Sequence, residues 1–167
     1  LEIQELAQTA VATEVAKLTR EKVTNGAVLV TNPKTGEILA MVGSKDYFAK
    51  DVDGNVNVTT SLRQPGSSIK PINYATGLIK GYTAATPFVD QKICFNNPSG
   101  PAYCPVNYDG KWQGVIQMRY ALGNSINIPA IKMLKVNGIA NMIATASAMG
   151  ITTFTDSPDR YGLSLTL

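Results

Sequence analysis

The chain has 167 residues, enough for one domain with a real core, and at 44% hydrophobic and 16% charged it is globular rather than disordered. A net charge of +3 is mild and the Lys and Arg are scattered, which argues against nucleic acid as a partner. It contains no histidine, so a Ser-His-Asp triad, a Cys-His pair and any His-ligated metal site are excluded within this chain, and its two cysteines cannot build a four-thiolate zinc site.

Any general base must therefore be Asp, Glu, Lys or Tyr. No run of eighteen apolar residues exists, so no segment reads as a membrane span. The start, Leu-Glu-Ile-Gln, has neither the basic residues nor the apolar stretch of a signal peptide, and without Met it reads as a chain cut from something longer.

Residues 2–23 show apolar positions at helical spacing (Ile3, Leu6, Ala7, Ala10, Val11, Val15, Leu18), with Asn25-Gly26 as the expected stop. Residues 27–31 and 37–42 are apolar runs of strand length around the turn Asn32-Pro33-Lys34-Thr35-Gly36, a hairpin over about 26–43 expected to be covered on both faces. Residues 43–63 read as a long polar loop. Pro65 and Gly66 then turn the chain into an expected helix at 67–80, with Ser67 at its first position. Residues 81–113 read as irregular, with Pro87, Pro98, Pro101 and Pro105. Cys94 and Cys104 enclose nine residues there, and the sequence leaves open whether they form a disulfide or stay as two thiols. A helical region spans 115–150, with segments at 115–123, 128–137 and 139–149. Residues 161–167 alternate like a strand whose sheet is completed elsewhere.

Two short constellations carry chemistry. Ser67-Ser68-Ile69-Lys70 sets a hydroxyl and an amine three residues apart, and i, i+3 side chains on a helix are about 5–6 Å apart at Cβ. It is the only Ser-x-x-Lys in the chain. By itself it also fits an N-cap serine followed by a solvated lysine. Ser125-Ile126-Asn127 falls at the break between two helical segments and by itself fits an ordinary turn. Together, in a chain without histidine, they form the motif pair of serine acyltransferases that act on D-Ala-D-Ala peptides and penicillin.

The chain resembles the transpeptidase domain of class A penicillin-binding proteins over about residues 24–167. The matching segments are 26–30 and 35–43, Arg63-Gln64-Pro65-Gly66-Ser67-Ser68-Ile69-Lys70-Pro71, Asn107-Tyr108-Asp109-Gly110, Arg119-Tyr120-Ala121-Leu122 leading into Ser125-Ile126-Asn127-Ile128-Pro129-Ala130, and 160–167. The family's third motif, Lys-Thr-Gly, lies far downstream of Ser-x-Asn; Lys34-Thr35-Gly36 precedes the serine and reads as a decoy. The resemblance thus implies that residues 1–167 are the N-terminal part of such a domain. The implied fold class is α/β (α+β), β-lactamase/transpeptidase-like: a mainly antiparallel sheet covered by helices on both faces, with a helical subdomain, incomplete in this chain.

It implies a D,D-transpeptidase that crosslinks peptidoglycan stem peptides through an acyl-enzyme and is acylated by β-lactams. Ser67 is the implied nucleophile, Lys70 its proton acceptor, Ser125 the relay to the leaving amine, and Asn127 a partner of both Lys70 and the substrate amide. A lysine of ordinary pKa, about 10.4, must be partly buried to serve as a base. The implied partners are D-Ala-D-Ala stem peptides, β-lactams and the remaining C-terminal part of the domain, with no cofactor and no metal. The implied place is the extracytoplasmic face of the bacterial membrane, anchored by a segment outside this chain. Alternatives are a β-lactamase or β-lactam sensor, a D,D-carboxypeptidase, or a non-catalytic cell-wall-binding module.

Overall fold

Pro71 decides how the central segment begins. An α-helix starting at Ser67 would need the position-71 N–H to reach the Ser67 carbonyl; proline has no N–H, and its ring would clash with that carbonyl. In the computed structural model, which describes residues 1–96 and 100–167, Gly66–Ile69 is accordingly a 3-10 turn, closed by Lys70 N–H donating to Ser67 O. The α-helix begins only at Lys70, with Pro71 in its first turn, where proline is tolerated. The expected single helix at 67–80 is thus corrected to a 3-10 turn followed by an α-helix.

The elements in order are α1 (Glu2–Lys17), β1 (Val28–Thr31), β2 (Ile38–Val42), α2 (Lys70–Ile79), β3 (Pro87–Asp90), β4 (Gly114–Gln117), α3 (Met118–Gly123), α4 (Asn127–Asn137) and α5 (Ile139–Ala148), with 3-10 turns at Val58–Thr60, Gly66–Ile69, Pro158–Arg160 and Leu163–Thr166. They fall into two units, Leu1–Gln64 and Pro65–Leu167.

In the first unit α1 lays Ala7, Val11 and Val15 on Ala40 and Val42, with Val28 and Val30 at the margin. β1 and β2 are antiparallel, with Val28 opposite Val42 and Val30 opposite Ala40. Gln4 braces the β2 backbone: its Nε2 donates to Met41 O at 3.0 Å and its Oε1 accepts from Met41 N at 2.9 Å. Gly26 lies so close to α1 that a Cβ would sit 2.9 Å from Val15 Cγ2. α1 ends at Lys17 rather than at residue 23, because Leu18 N bonds to Val15 O and Val23 N to Leu18 O, and Lys22 takes φ 59°. Expected to be covered on both faces, the hairpin carries α1 on one face, and Leu29 and Leu39 are exposed on the other.

In the second unit α2 and α4 pack so closely at Gly77 that a Cβ there would fall 2.3 Å from Met133 Sδ. A buried amide pair ties the helices together: Asn73 Nδ2 donates to Ala130 O and Asn137 Nδ2 to Asn73 O. One apolar cluster joins Tyr74, Phe88, Met118, Ala121, Ala130 and Met133; a second joins Ile69, Leu134 and Met142, flanked by Leu163 and Leu165.

The helices expected at 128–137 and 139–149 appear as α4 and α5. The segment expected to be helical at 115–123 is strand β4 followed by α3, and β4 pairs antiparallel with β3 inside the region read as irregular. Residues 97–99 of that region, Pro98 included, lie outside the described residues. Cys94 and Cys104 are disulfide-bonded, and Phe95 and Tyr103 exchange backbone hydrogen bonds inside the loop.

The strand expected at 161–167 is replaced by the 3-10 turn Leu163–Thr166. Among the described residues no strand pairs with it, and its backbone pairs with itself, Leu165 N to Gly162 O and Leu167 N to Ser164 O. Thr166 is buried and accepts from Asn73 Nδ2 at 3.0 Å.

Candidate active site

Lys70 opens α2, and its side chain runs inward, leaving the residue only 1% exposed. Its Nζ donates to Ser125 O at 2.6 Å, Asn127 Oδ1 at 2.7 Å and Ser125 Oγ at 3.1 Å. Burial strips water from the ammonium and lowers the Lys70 pKa from 10.5 to about 8. Below about pH 8 all three contacts are donations from the ammonium; once it loses a proton, the amine's lone pair can accept from the Ser125 hydroxyl in place of the longest of them.

Ser125 stands between α3 and α4 in the left-handed region, at φ 53°. Its N–H donates to Leu122 O and the next N–H, of Ile126, to Ala121 O. This is the Schellman closure of α3, where glycine is the usual occupant. A serine there is held in a conformation that costs L-residues about 1–2 kcal/mol. The same twist directs its carbonyl, as well as its hydroxyl, at Lys70.

Asn127 is the first residue of α4. Its Nδ2 donates to Val106 O at 2.8 Å, which leaves Oδ1 facing Lys70. Its backbone N–H donates to Asn107 Oδ1 at 3.0 Å.

Ser67 is exposed on the 3-10 turn, three residues before the buried Lys70. The neighbouring Ser68 bonds back to Pro65 O. The structure therefore brings Lys70, Ser125 and Asn127 into direct contact, while the three Nζ bonds go to Ser125 and Asn127 and none to Ser67. A cleft of about 310 Å³ opens beside Ser125, lined among others by Tyr108, Asp109, Gln113, Asn124 and Ile126. Lys34-Thr35-Gly36 forms part of the β1–β2 turn in the first unit. Among the described residues no group of three or more Cys, Asp or Glu is placed to hold a metal, and no helix is long and apolar enough to cross a membrane.

Asp90 and Asn107 received no role from the sequence. Asn107 stands within the quoted Asn-Tyr-Asp-Gly segment, but the contacts that give it meaning run to residues twenty and seventeen positions away, beyond any local spacing.

Two small antiparallel strand pairs, and helices that bury Lys70 against the Ser125-Ile126-Asn127 turn, are parts of an α+β fold of the β-lactamase/transpeptidase class. A family model described as the penicillin binding protein transpeptidase domain matches residues 26–165. Penicillin-binding protein 1A of Rickettsia bellii is 36% identical over 141 residues, 84% of this chain, and that of Neisseria flavescens is 38% identical over 122 residues, 72% of this chain. The chain spans 16% and 15% of the length of these two relatives.

The crystal structure of penicillin-binding protein 1A from Haemophilus influenzae superposes with a TM-score of 0.70 at 32% identity, over 84% of this chain and 20% of that one. The penicillin G acyl-enzyme complex of penicillin-binding protein A from M. tuberculosis superposes with a TM-score of 0.66 at 22% identity, over 84% of this chain and 40% of that one, and shares the fold. The chain belongs to the penicillin-binding protein transpeptidase domain family.

Proposed function

We propose that this chain carries the acylating serine and its proton-handling partners of a D,D-transpeptidase. The observation that supports this most is the buried Lys70 amine, lowered in pKa and gripped by Ser125 and Asn127. Ser67 Oγ attacks the carbonyl of the penultimate D-alanine, and its proton passes to neutral Lys70. The peptide C–N bond breaks, and the proton moves through Ser125 Oγ to the departing amine. An acceptor amine then takes the acyl group from Ser67 and forms the crosslink. A β-lactam amide acylates the same oxygen, in keeping with the relative captured as a penicillin G acyl-enzyme.

The Ser67 N–H supplies one donor to the oxyanion, near the positive end of the helix. The other donor and the Lys-Thr-Gly motif belong to the remaining part of the domain. The reaction takes place outside the cytoplasm, where the Cys94–Cys104 disulfide persists.

The test is labelling of the intact protein with a fluorescent penicillin, followed by mass spectrometry of the peptide containing Ser67. A lasting adduct on Ser67, absent from Ser67→Ala, is expected. Rapid release of hydrolysed penicillin would indicate a lactamase, and no adduct at all would indicate a binding module. Product analysis with an acceptor amine separates crosslinking from carboxypeptidase action.

A further inference from the structure

Asp90, the last residue of β3, is fully buried, and among the described residues it forms no salt bridge. A buried carboxylate without a cation is expensive unless its lone pairs are filled. Its oxygens accept from Asn107 Nδ2 at 3.0 and 2.9 Å and from Gln113 N at 2.8 Å. Asn107, 3% exposed, also donates from Nδ2 to Lys111 O at 2.7 Å. A carboxylate only accepts, so it forces the amide nitrogen of Asn107 toward itself and the amide oxygen the other way.

That oxygen meets the start of α4, accepting from Asn127 N at 3.0 Å and Ile128 N at 3.4 Å. These N–H groups have no partner inside their own helix. One residue earlier, Val106 O fixes the Asn127 side-chain amide. Consecutive residues on one loop thus orient both the backbone and the side chain of Asn127.

We propose that Asn107, locked in one amide orientation by the buried carboxylate of Asp90, is a positioning residue that holds the Ser125-Ile126-Asn127 turn against Lys70. It touches no reacting atom; it acts through Asn127. The proposal rests on the acylation reading above and adds two residues to it.

The test measures acylation by a fluorescent penicillin per folded molecule of the intact protein, across pH, alongside thermal unfolding. Parent, Asn107→Ala, Asp90→Asn and the Asp90→Asn/Asn107→Asp swap are compared. Asn107→Ala should slow acylation about 10- to 100-fold, the scale of a small misplacement of a catalytic group. Its acid limb should move to higher pH as water reaches Lys70. Asp90→Asn sets an amide nitrogen against the Asn107 nitrogen and should slow acylation as well. The swap again gives one acceptor at position 107 for α4 and one donor–acceptor pair with position 90; it loses the donor to Lys111 O, which is at an exposed residue that water can reach, so it should be faster than Asp90→Asn alone though slower than the parent.

Single variants that fold and acylate within twofold of the parent, with an unmoved pH limb, overturn the proposal. If the singles do not fold, the swap decides: recovered acylation supports positioning, and a swap that is unfolded or no faster overturns it. A parent that takes no label overturns the acylation reading and this proposal together, whereas a labelled parent with unaffected variants overturns only the positioning.

Discussion

Ser125 occupies a backbone position that glycine would fill without strain. Its φ of 53° and the pair of hydrogen bonds that close α3 make a turn in which a side chain is a liability. The hydroxyl that the chain keeps there lies 3.1 Å from Lys70 Nζ. Ser125→Gly separates the two roles. Stability should change by no more than about 1 kcal/mol, because relief of the left-handed strain is offset by the freer unfolded chain and by the lost Oγ contact to Lys70. Acylation by penicillin should fall about 100-fold or more, as expected when a proton relay is removed. Thermal unfolding and acylation rate, measured on the same sample, check both halves; loss of stability without loss of rate would make Ser125 a turn residue only. The sequence marked Ser125 through its Ser-x-Asn spacing, but the left-handed backbone that places it is a product of helix packing and leaves no periodic trace. The same holds for Asp90, whose partner is seventeen residues away.

At the scale of elements, Pro71 keeps the segment that carries Ser67 from becoming α-helical. A 3-10 turn brings residues three apart into eclipse, whereas an α-helix offsets them by about 60°. Pro71→Ala should let the N–H at position 71 reach Ser67 O, extend α2 by a turn and change the direction of the Ser67 side chain relative to Lys70. Helical content should rise slightly, unfolding should be little changed, and acylation should slow about tenfold or more; circular dichroism and penicillin labelling read these out. The disulfide gives a second, independent case. Closing nine residues at Cys94–Cys104 should contribute about 2–3 kcal/mol in the loop-entropy model, so Cys94→Ser/Cys104→Ser should lower the unfolding midpoint.

Elements with strong local signals were legible from the sequence alone. α4 and α5 are bounded by Gly138 and Gly150, and the β1–β2 turn carries Asn, Pro and Gly. Four-residue β3 was not, since it opens on proline and owes its existence to pairing with β4 twenty-odd residues later. Nor was the end of the chain, where the alternation of Leu163 and Leu165 serves packing on Leu134 and Met142 instead of a sheet.

At the scale of the whole molecule, the buried amine ties activity to stability. Ser67, Lys70, Ser125 and Asn127 all belong to the Pro65–Leu167 unit, and the packing of α2 on α4 is what dries Lys70. Folding lowers the Lys70 pKa from 10.5 to about 8, so between those values the unfolded chain holds a proton that the folded chain has released. Stability from this group therefore rises with pH across that window; below pH 8 both states are protonated and the fold bears the full penalty, about 3 kcal/mol. Lys70→Met removes the titration while keeping the bulk. The stability of the parent relative to Lys70→Met should climb by about 3 kcal/mol from pH 7.5 to 10.5, while other ionisations cancel in the difference. Penicillin acylation of the parent should instead rise as one titration centred near pH 8 and level off about one unit above it, because the neutral amine that the fold tolerates is the form that accepts the Ser67 proton. Urea unfolding and acylation rates over this range put the two curves side by side. A flat difference in stability would show a hydrated lysine, and an acylation limb far from pH 8 would assign the Ser67 proton to another acceptor.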